Sequence, residues 1–285
     1  GPEGHHASLW AALGDTKNGG IEIEDIGDLS RFLGRHHDVV IMEDGSEGVA
    51  FNMREYVKAA CERYSAIPGS KPLKPASTPF CPEGSLTAAD DEERGELAQE
   101  ACSVLMKDLW AARLARPDLT KAITALAAKV SKWSRNHDRM LHRLMCYMWG
   151  SREYELVGYV NDPLEELWLD LYVDADWAGD REDKYSTNGG FLVLSGPNTR
   201  FPLAWVSKKQ TSCSRSTTES EIVALAHSQF LEALPMLSLW DRLVKPASGR
   251  PMTLRIHEDN QAAKDIAEAG FSTKLCHISR THGVN

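Results

Sequence analysis

Apolar and polar positions alternate with period two in "LWLDLYVDADWAG": residues 167, 169, 171 and 173 are Leu, Leu, Leu and Val, with Trp168, Asp170, Tyr172, Asp174 and Asp176 interleaved. Successive strand side chains point to opposite faces, so this pattern predicts a strand with one apolar face and one acidic, aromatic face. "TNGGFLVLSG" and "PLAWVSKKQ" read as two more strands bounded by turn residues, and "MTLRIHEDN" as a fourth. "TTESEIVALAHSQFLEALPMLSLWDRLV" has helical spacing that Pro235 must kink or divide, and "QAAKDIAEAG" is a further helix. Three strands, helix, strand, helix predict an α/β unit built on a mixed sheet with flanking helices.

The pattern upstream is different. "HHDVVIMEDGSEGVAFNM" reads as two strands around a Gly-Ser turn, followed by the amphipathic helix "REYVKAACERY". From Pro68 to Arg94 proline, serine and acids disfavour regular structure, which predicts an extended linker. Beyond it "ELAQEACSVLMKDLWAARLA", "DLTKAITALAAKVSKWS" and "RMLHRLMCYMWG" are helical, with Arg116-Pro117-Asp118 as a break and Gly150 as the stop. The expected divisions are 1–67, 68–94, 95–160 and 161–285.

Composition narrows the class. A chain of 285 residues with 42% hydrophobic and 26% charged residues is ordinary for a globular protein. It has no run near the roughly 18 apolar residues of a membrane span, and "GPEGHHASLW" lacks a secretion signal's basic flank and apolar core. Secretion and membrane partners are not expected. The six cysteines show no C-x-x-C pair, which speaks against structural zinc and a disulfide framework. A net charge of −9 argues against coating nucleic acid through bulk positive charge. It leaves room for an enzyme whose metal faces the phosphates.

Three acids are placed for that chemistry. Asp174 lies on the acidic strand face, which also fits a solvated sheet surface. In the helix after Thr218, Glu219 is in line with Ile222, Val223, Ala226 and Phe230, the stripe expected to meet the sheet; Glu221 is in line with Leu225, Ser228 and Glu232, a mixed face. An inward acid is costly unless a positive group meets it, which favours Glu219 as a ligand, although a helix N-terminus also stabilises an acid. Asp259 ends the fourth strand and precedes a helix, either aimed over the strand end or serving as N-cap, a task Asn260 could take. Three acids that could converge suit a hard divalent cation.

These residues also resemble a known family. "YVDADWAGDREDKYSTNGGFLVLSG", "AWVSKKQTSCSRSTTESEIVALAHS" and "IHEDNQAAKDIA" resemble the ribonuclease H domain at the C-terminus of copia-type LTR retrotransposon Pol polyproteins, in the family's order. "DLSRFLGRHHDVV" resembles the F-L-G segment near the end of the reverse-transcriptase palm, "KPASTPF" resembles the family's K-P-x-x-T-P motif, and the stretch around "ARPDLT" resembles the helical connection between polymerase and ribonuclease H. The resemblance implies a ribonuclease H-like mixed sheet preceded by an α+β and helical reverse-transcriptase remnant, and hydrolysis of the RNA strand of RNA–DNA hybrids. It implies two Mg2+ ions, replaceable by Mn2+, on Asp174, Glu219 and Asp259, with no small-molecule cofactor. His277 matches a family histidine, a candidate fourth ligand or proton shuttle, with His282 a poorer one. Lys208, Lys209, Arg215, Asn260 and Gln261 fall where substrate contacts are expected.

Partners implied are the hybrid and other parts of a polyprotein, in a cytoplasmic retrotransposon particle or the nucleus. Two departures weigh against full activity. Ser279 stands where the family carries an acid and the pattern continues beyond Asn285, so the domain is expected to be incomplete at its C-terminus; no Y-x-D-D occurs, so polymerisation by this chain alone is not expected. The alternatives are a non-catalytic polyprotein relic or nucleic-acid-binding module, or a different nuclease or integrase on the same fold.

Overall fold

The computed structural model describes residues 11, 14–18, 20, 30–179, 184–270 and 272–284. The N-terminal "GPEGHHASLW" and most of the palm-like stretch ahead of Ser30 lie outside the described residues.

One sheet runs through both halves of the described chain. Its strands are β1 (Arg31–Phe32), β2 (Arg35–Ile41), β3 (Glu47–Asn52), β4 (Leu156–Tyr159), β5 (Trp168–Asp176), β6 (Thr187–Gly196), β7 (Thr199–Lys209) and β8 (Leu254–His257). Their order is β1-β2-β3-β4-β7-β6-β5-β8. All neighbours are antiparallel except β5 and β8. Leu33 and Gly34, with φ of 52° and 84°, make the tight β1–β2 turn, a left-handed pair that glycine adopts without penalty.

The helices are α1 (Arg54–Ser65), α2 (Ala88–Glu92), α3 (Ala101–Leu114), α4 (Thr120–Ala127), α5 (Arg135–Gly150), α6 (Thr217–Ser228), α7 (Leu234–Ser248), α8 (Gln261–Ala269) and α9 (Ile278–Thr281). In the first half α1, α3, α4 and α5 close on β3 around Leu105, Ile123, Leu141 and Met145, each at most 1% exposed. Burying a side chain of that size contributes roughly 1.5–3 kcal/mol. The corner between α3 and α4 is locked by Arg116, 2% exposed, which forks onto both Asp118 oxygens at 2.9 and 2.7 Å and donates to Ser151 O at 2.9 Å. The break expected at Arg116-Pro117-Asp118 is therefore also a buried clamp onto the end of α5.

The stretch expected to be an extended linker is mostly irregular, with α2 as its helical part. It is fastened along α5. Arg143 Nε donates to Thr78 O at 2.9 Å, and Asn136 Nδ2 to Thr87 O at 2.7 Å.

In the second half α6 and α7 cover the apolar face of β5 and β6, burying Leu169, Leu171, Leu192 and Leu194 with Ala224 and Val244. A Cβ on Gly190 would lie 2.5 Å from Ser228 Oγ, so glycine at that position lets α6 close on the sheet. Pro235 falls in the first turn of α7, where it needs no N–H partner, and the π-helical turn Gln229–Ala233 absorbs the change of register. The run Thr217–Arg242 is long and apolar enough by composition to cross a membrane, but it packs on β5 and β6. The two halves meet where Phe201 packs against both cores, where Trp205 Nε1 donates to Ala112 O at 2.8 Å, and where Lys121 pairs with Asp176 at 2.8 Å. A mixed α/β sheet with flanking helices, preceded by a largely helical α+β part, is thus observed.

Candidate metal centre

β8 runs beside β5 from Leu169↔Leu254 to Tyr172↔His257 and then ends, while β5 continues to Asp176. The parting of the two strands leaves the last residues of β5 with a free edge. Glu221, from the second turn of α6, fills that notch and accepts a hydrogen bond from the Ala175 N–H. Asp174 on β5 and Asp259 just after β8 stand on either side. One carboxylate oxygen from each of Asp174, Glu221 and Asp259 lies within 4.8 Å of the other two.

The electrostatics of this cluster follow from its geometry. Glu221 is 6% exposed, its Oε2 has no hydrogen-bond partner, and burial followed by the charges of Glu258, Asp174 and Asp259 pushes its carboxyl up to about 7. Glu258 is 9% exposed, with Oε2 likewise unpartnered, and is raised for the same reasons, burial first. Asp174 and Asp259 are exposed. Four acids thus crowd together with two buried oxygens lacking any donor, an arrangement that costs free energy unless a cation joins it.

The placement of Glu219 corrects the expectation from the sequence. It is 1% exposed, but its carboxylate lies outside the acid cluster. Oε2 accepts from Arg215 N–H at 2.9 Å, and Oε1 lies 3.0 Å from His277 Nε2 and 3.3 Å from His282 Nε2. The cause is that α6 is buried on two sides. Glu221, Ala224, Leu225 and Ser228 face the sheet, whereas Ile222, in line with Glu219, packs on Ala263 of α8 and Ile278 of α9. Of the stripe through Glu219, Ile222 meets helices while Phe230 is exposed, and the acid itself ties down the C-terminal segment. His277, expected beside the metal, has its Nε2 committed to Glu219.

A polar scaffold sets the start of α6. Gln210 Nε2 donates to Asn188 Oδ1 at 2.7 Å and Ser220 O at 3.0 Å, Ser214 Oγ donates to Gln210 Oε1 at 2.7 Å, and Ser216 Oγ accepts from Glu219 N–H at 3.1 Å as the N-cap. Among the expected substrate contacts, Asn260 Oδ1 caps α8 by accepting from Ala263 N–H at 3.0 Å, and Gln261 Nε2 donates to Asp265 at 2.7 Å within the same helix. These bonds leave Asp259 free of the capping task. Lys209 lies 5.3 Å over the Tyr185 ring, and Lys208 is on β7. Glu258 went unnoticed in the sequence; its adjacency to Asp259 was the available signal.

Carboxylates from two adjacent strand ends and one covering helix, on a mixed α/β sheet, thus form an all-oxygen cluster that could hold a divalent cation. No protein-family model matches the chain. Comparison with known proteins shows 28% identity over 264 residues to the retrovirus-related Pol polyprotein from transposon RE1 of Arabidopsis thaliana, covering 91% of this chain and 16% of that polyprotein. A secreted RxLR effector protein, number 161, of Plasmopara viticola is 34% identical over 113 residues, covering 40% of this chain and 75% of the effector. The foamy viral protease–reverse transcriptase, solved in complex with double-stranded DNA, superposes with a TM-score of 0.39 at 13% identity, covering 85% of this chain and 32% of that one. The chain is thus a homologue of one stretch of copia-type transposon Pol polyproteins, a stretch that amounts to 16% of the RE1 length.

Proposed function

We propose that this chain carries the ribonuclease H activity of its polyprotein family, metal-dependent hydrolysis of the RNA strand in an RNA–DNA hybrid. The observation that carries the reading is the convergence of Asp174, Glu221 and Asp259 from three separate elements, with a buried Glu221 oxygen that has no donor. Such an all-oxygen set fits Mg2+, with Mn2+ as a substitute. Bound there, one or two such ions would supply an activated water and stabilisation of the leaving oxygen.

The chain's own residues do the rest. Ala175 N–H orients Glu221, whose proton must leave before it can act as a ligand. Asp174 and Asp259 are exposed, so a nucleic-acid backbone can reach them from solvent. Lys208, Lys209 and Arg215 provide positive charge suited to phosphate contacts that do not read sequence. Polymerisation is not proposed, because no Y-x-D-D turn occurs in the chain.

The test is cleavage of a labelled RNA–DNA hybrid by purified protein with and without Mg2+, beside duplex DNA and duplex RNA. The expected result is Mg2+-dependent cutting of the RNA strand of the hybrid alone, falling by on the order of 10³ or more in Asp174→Asn. Equal cutting by both proteins would overturn the assignment, and preference for duplex DNA would point to another nuclease on this fold.

A further inference from the structure

No C-x-x-C pair occurs in the chain, yet the fold brings Cys81 and Cys146 onto one pocket of about 400 Å³. The pocket forms where the irregular stretch ahead of α2 crosses α5. Ala76 N–H donates there to Cys146 O at 3.3 Å, and Arg143 donates to Thr78 O and Oγ1 at 2.9 Å each. Lys74, Arg139 and Arg143 line the space, and none of the described acids does. Arg139 is paired with Asp90 at 2.9 Å, but the Arg143 bonds go to neutral oxygens, so the pocket keeps a surplus of positive charge.

Cys146 is joined to a base. Its Sγ lies 3.4 Å from His142 Nε2, one turn earlier on α5, and His142 Nδ1 lies 3.2 Å from the hydroxyl of the buried Tyr64, which holds the ring in place. Burial first, and Lys71 second, keep the imidazole below its ordinary range, so it is neutral at pH 7 and free to take the thiol proton. Cys81 is set less favourably. Burial pushes its thiol up, against the pull of Arg143 and Arg139. A thiol beside a base, in a pocket with excess cations, suits an electrophile that carries negative charge.

We propose that Cys146 is a thiol-exchange site for the disulfides of small thiols that carry carboxylates, which Lys74 and Arg143 draw into the pocket. His142 takes the Cys146 proton, the thiolate attacks one sulfur of the reagent, and the reagent's S–S bond breaks as the bond to Cys146 Sγ forms. The other half leaves as a thiolate and recovers the proton from His142. Thiol and disulfide enter, mixed disulfide and thiol result, and no further oxidant is needed. The site lies on α5, in the other half of the chain from Asp174, Glu221 and Asp259, so it stands independently of the nuclease reading.

The experiment exposes the folded full chain, in EDTA, to oxidised glutathione or to uncharged bis(2-hydroxyethyl) disulfide, quenches with acid and locates the adducts by peptide mass mapping. Cys146 is expected to gain a glutathionyl group about ten-fold faster than the exposed Cys102 and Cys276. Its lead over those two thiols should shrink with the uncharged reagent, which the cations do not attract. Lys74→Gln changes an exposed side chain and should slow the glutathione reaction at Cys146 by about three-fold while leaving the uncharged reagent unaffected. His142→Gln should slow both reagents. First modification at Cys81, Cys102 or Cys276, an equal lead with both reagents, or a Lys74→Gln protein that reacts like the parent would overturn the proposal.

Discussion

Glu221→Gln is expected to abolish divalent-metal binding and to lower hybrid cleavage by on the order of 10³, whereas Glu219→Gln should leave metal affinity within about three-fold of the parent. The contrast follows from where the two carboxylates end up. Glu221 lies in the notch between β5 and β8 with Asp174 and Asp259, while Glu219 is bonded to Arg215 N–H and His277, with His282 close by, on the other side of the helix. Titration of each variant with Mn2+, beside cleavage assays, separates the two. If Glu219→Gln loses metal and Glu221→Gln keeps it, the geometry assigned here is wrong. Glu219→Gln should instead loosen residues 277–282, read as faster amide exchange there, because a buried charged hydrogen bond contributes roughly 1.5–3 kcal/mol.

The same site dictates a pH dependence. Glu221 is protonated up to about pH 7 because it is buried and faces three other acids, and a metal ion competes with that proton. Affinity is therefore expected to be low in acid, to rise by up to about ten-fold per pH unit as pH climbs towards 7, and to level off above it. In Glu221→Gln no such titration remains at this position.

Much of this was legible along the chain. The alternation at 167–176 placed Asp174 on the face away from the apolar core, and the strand-then-helix junction at Asp259-Asn260 offered Asn260 as a cap, which its bond from Ala263 N–H bears out. What could not be read was the surroundings of α6. An apolar stripe says that a helix face is buried, not what buries it, and α6 is enclosed by the sheet on one side and by α8 and α9 on the other. Two inward faces made both glutamates inward acids, and only the tertiary placement of His277 and His282 tells them apart. The thiol pocket on α5 was beyond reach for a similar reason. It brings Lys74 and Cys81 of an irregular stretch onto His142 and Cys146 of a helix, and where an irregular stretch lies down leaves no mark in a periodicity.

Asp108→Asn is expected to stabilise the protein at neutral pH and to remove a pH slope that the parent carries. Asp108 lies on α3 at 0% exposure, and neither carboxylate oxygen has a hydrogen-bond partner. Burial pushes its carboxyl from the ordinary 3.8 up to about 8, only weakly opposed by Lys107. The folded protein therefore keeps a proton that the unfolded chain gives up above about pH 4. Its stability is intact below that pH and declines through the interval up to about pH 8, at about 1.4 kcal/mol per pH unit. Asparagine is nearly the same shape and stays neutral, like the protonated acid, so the slope disappears and the gain at pH 7 is on the order of 2–4 kcal/mol. Urea unfolding of both proteins at intervals from pH 4.5 to 8 measures it. Curves that stay parallel across that range would mean that Asp108 is ionised in the folded state, stabilised there by a partner that the packing of α3 against α1 does not reveal.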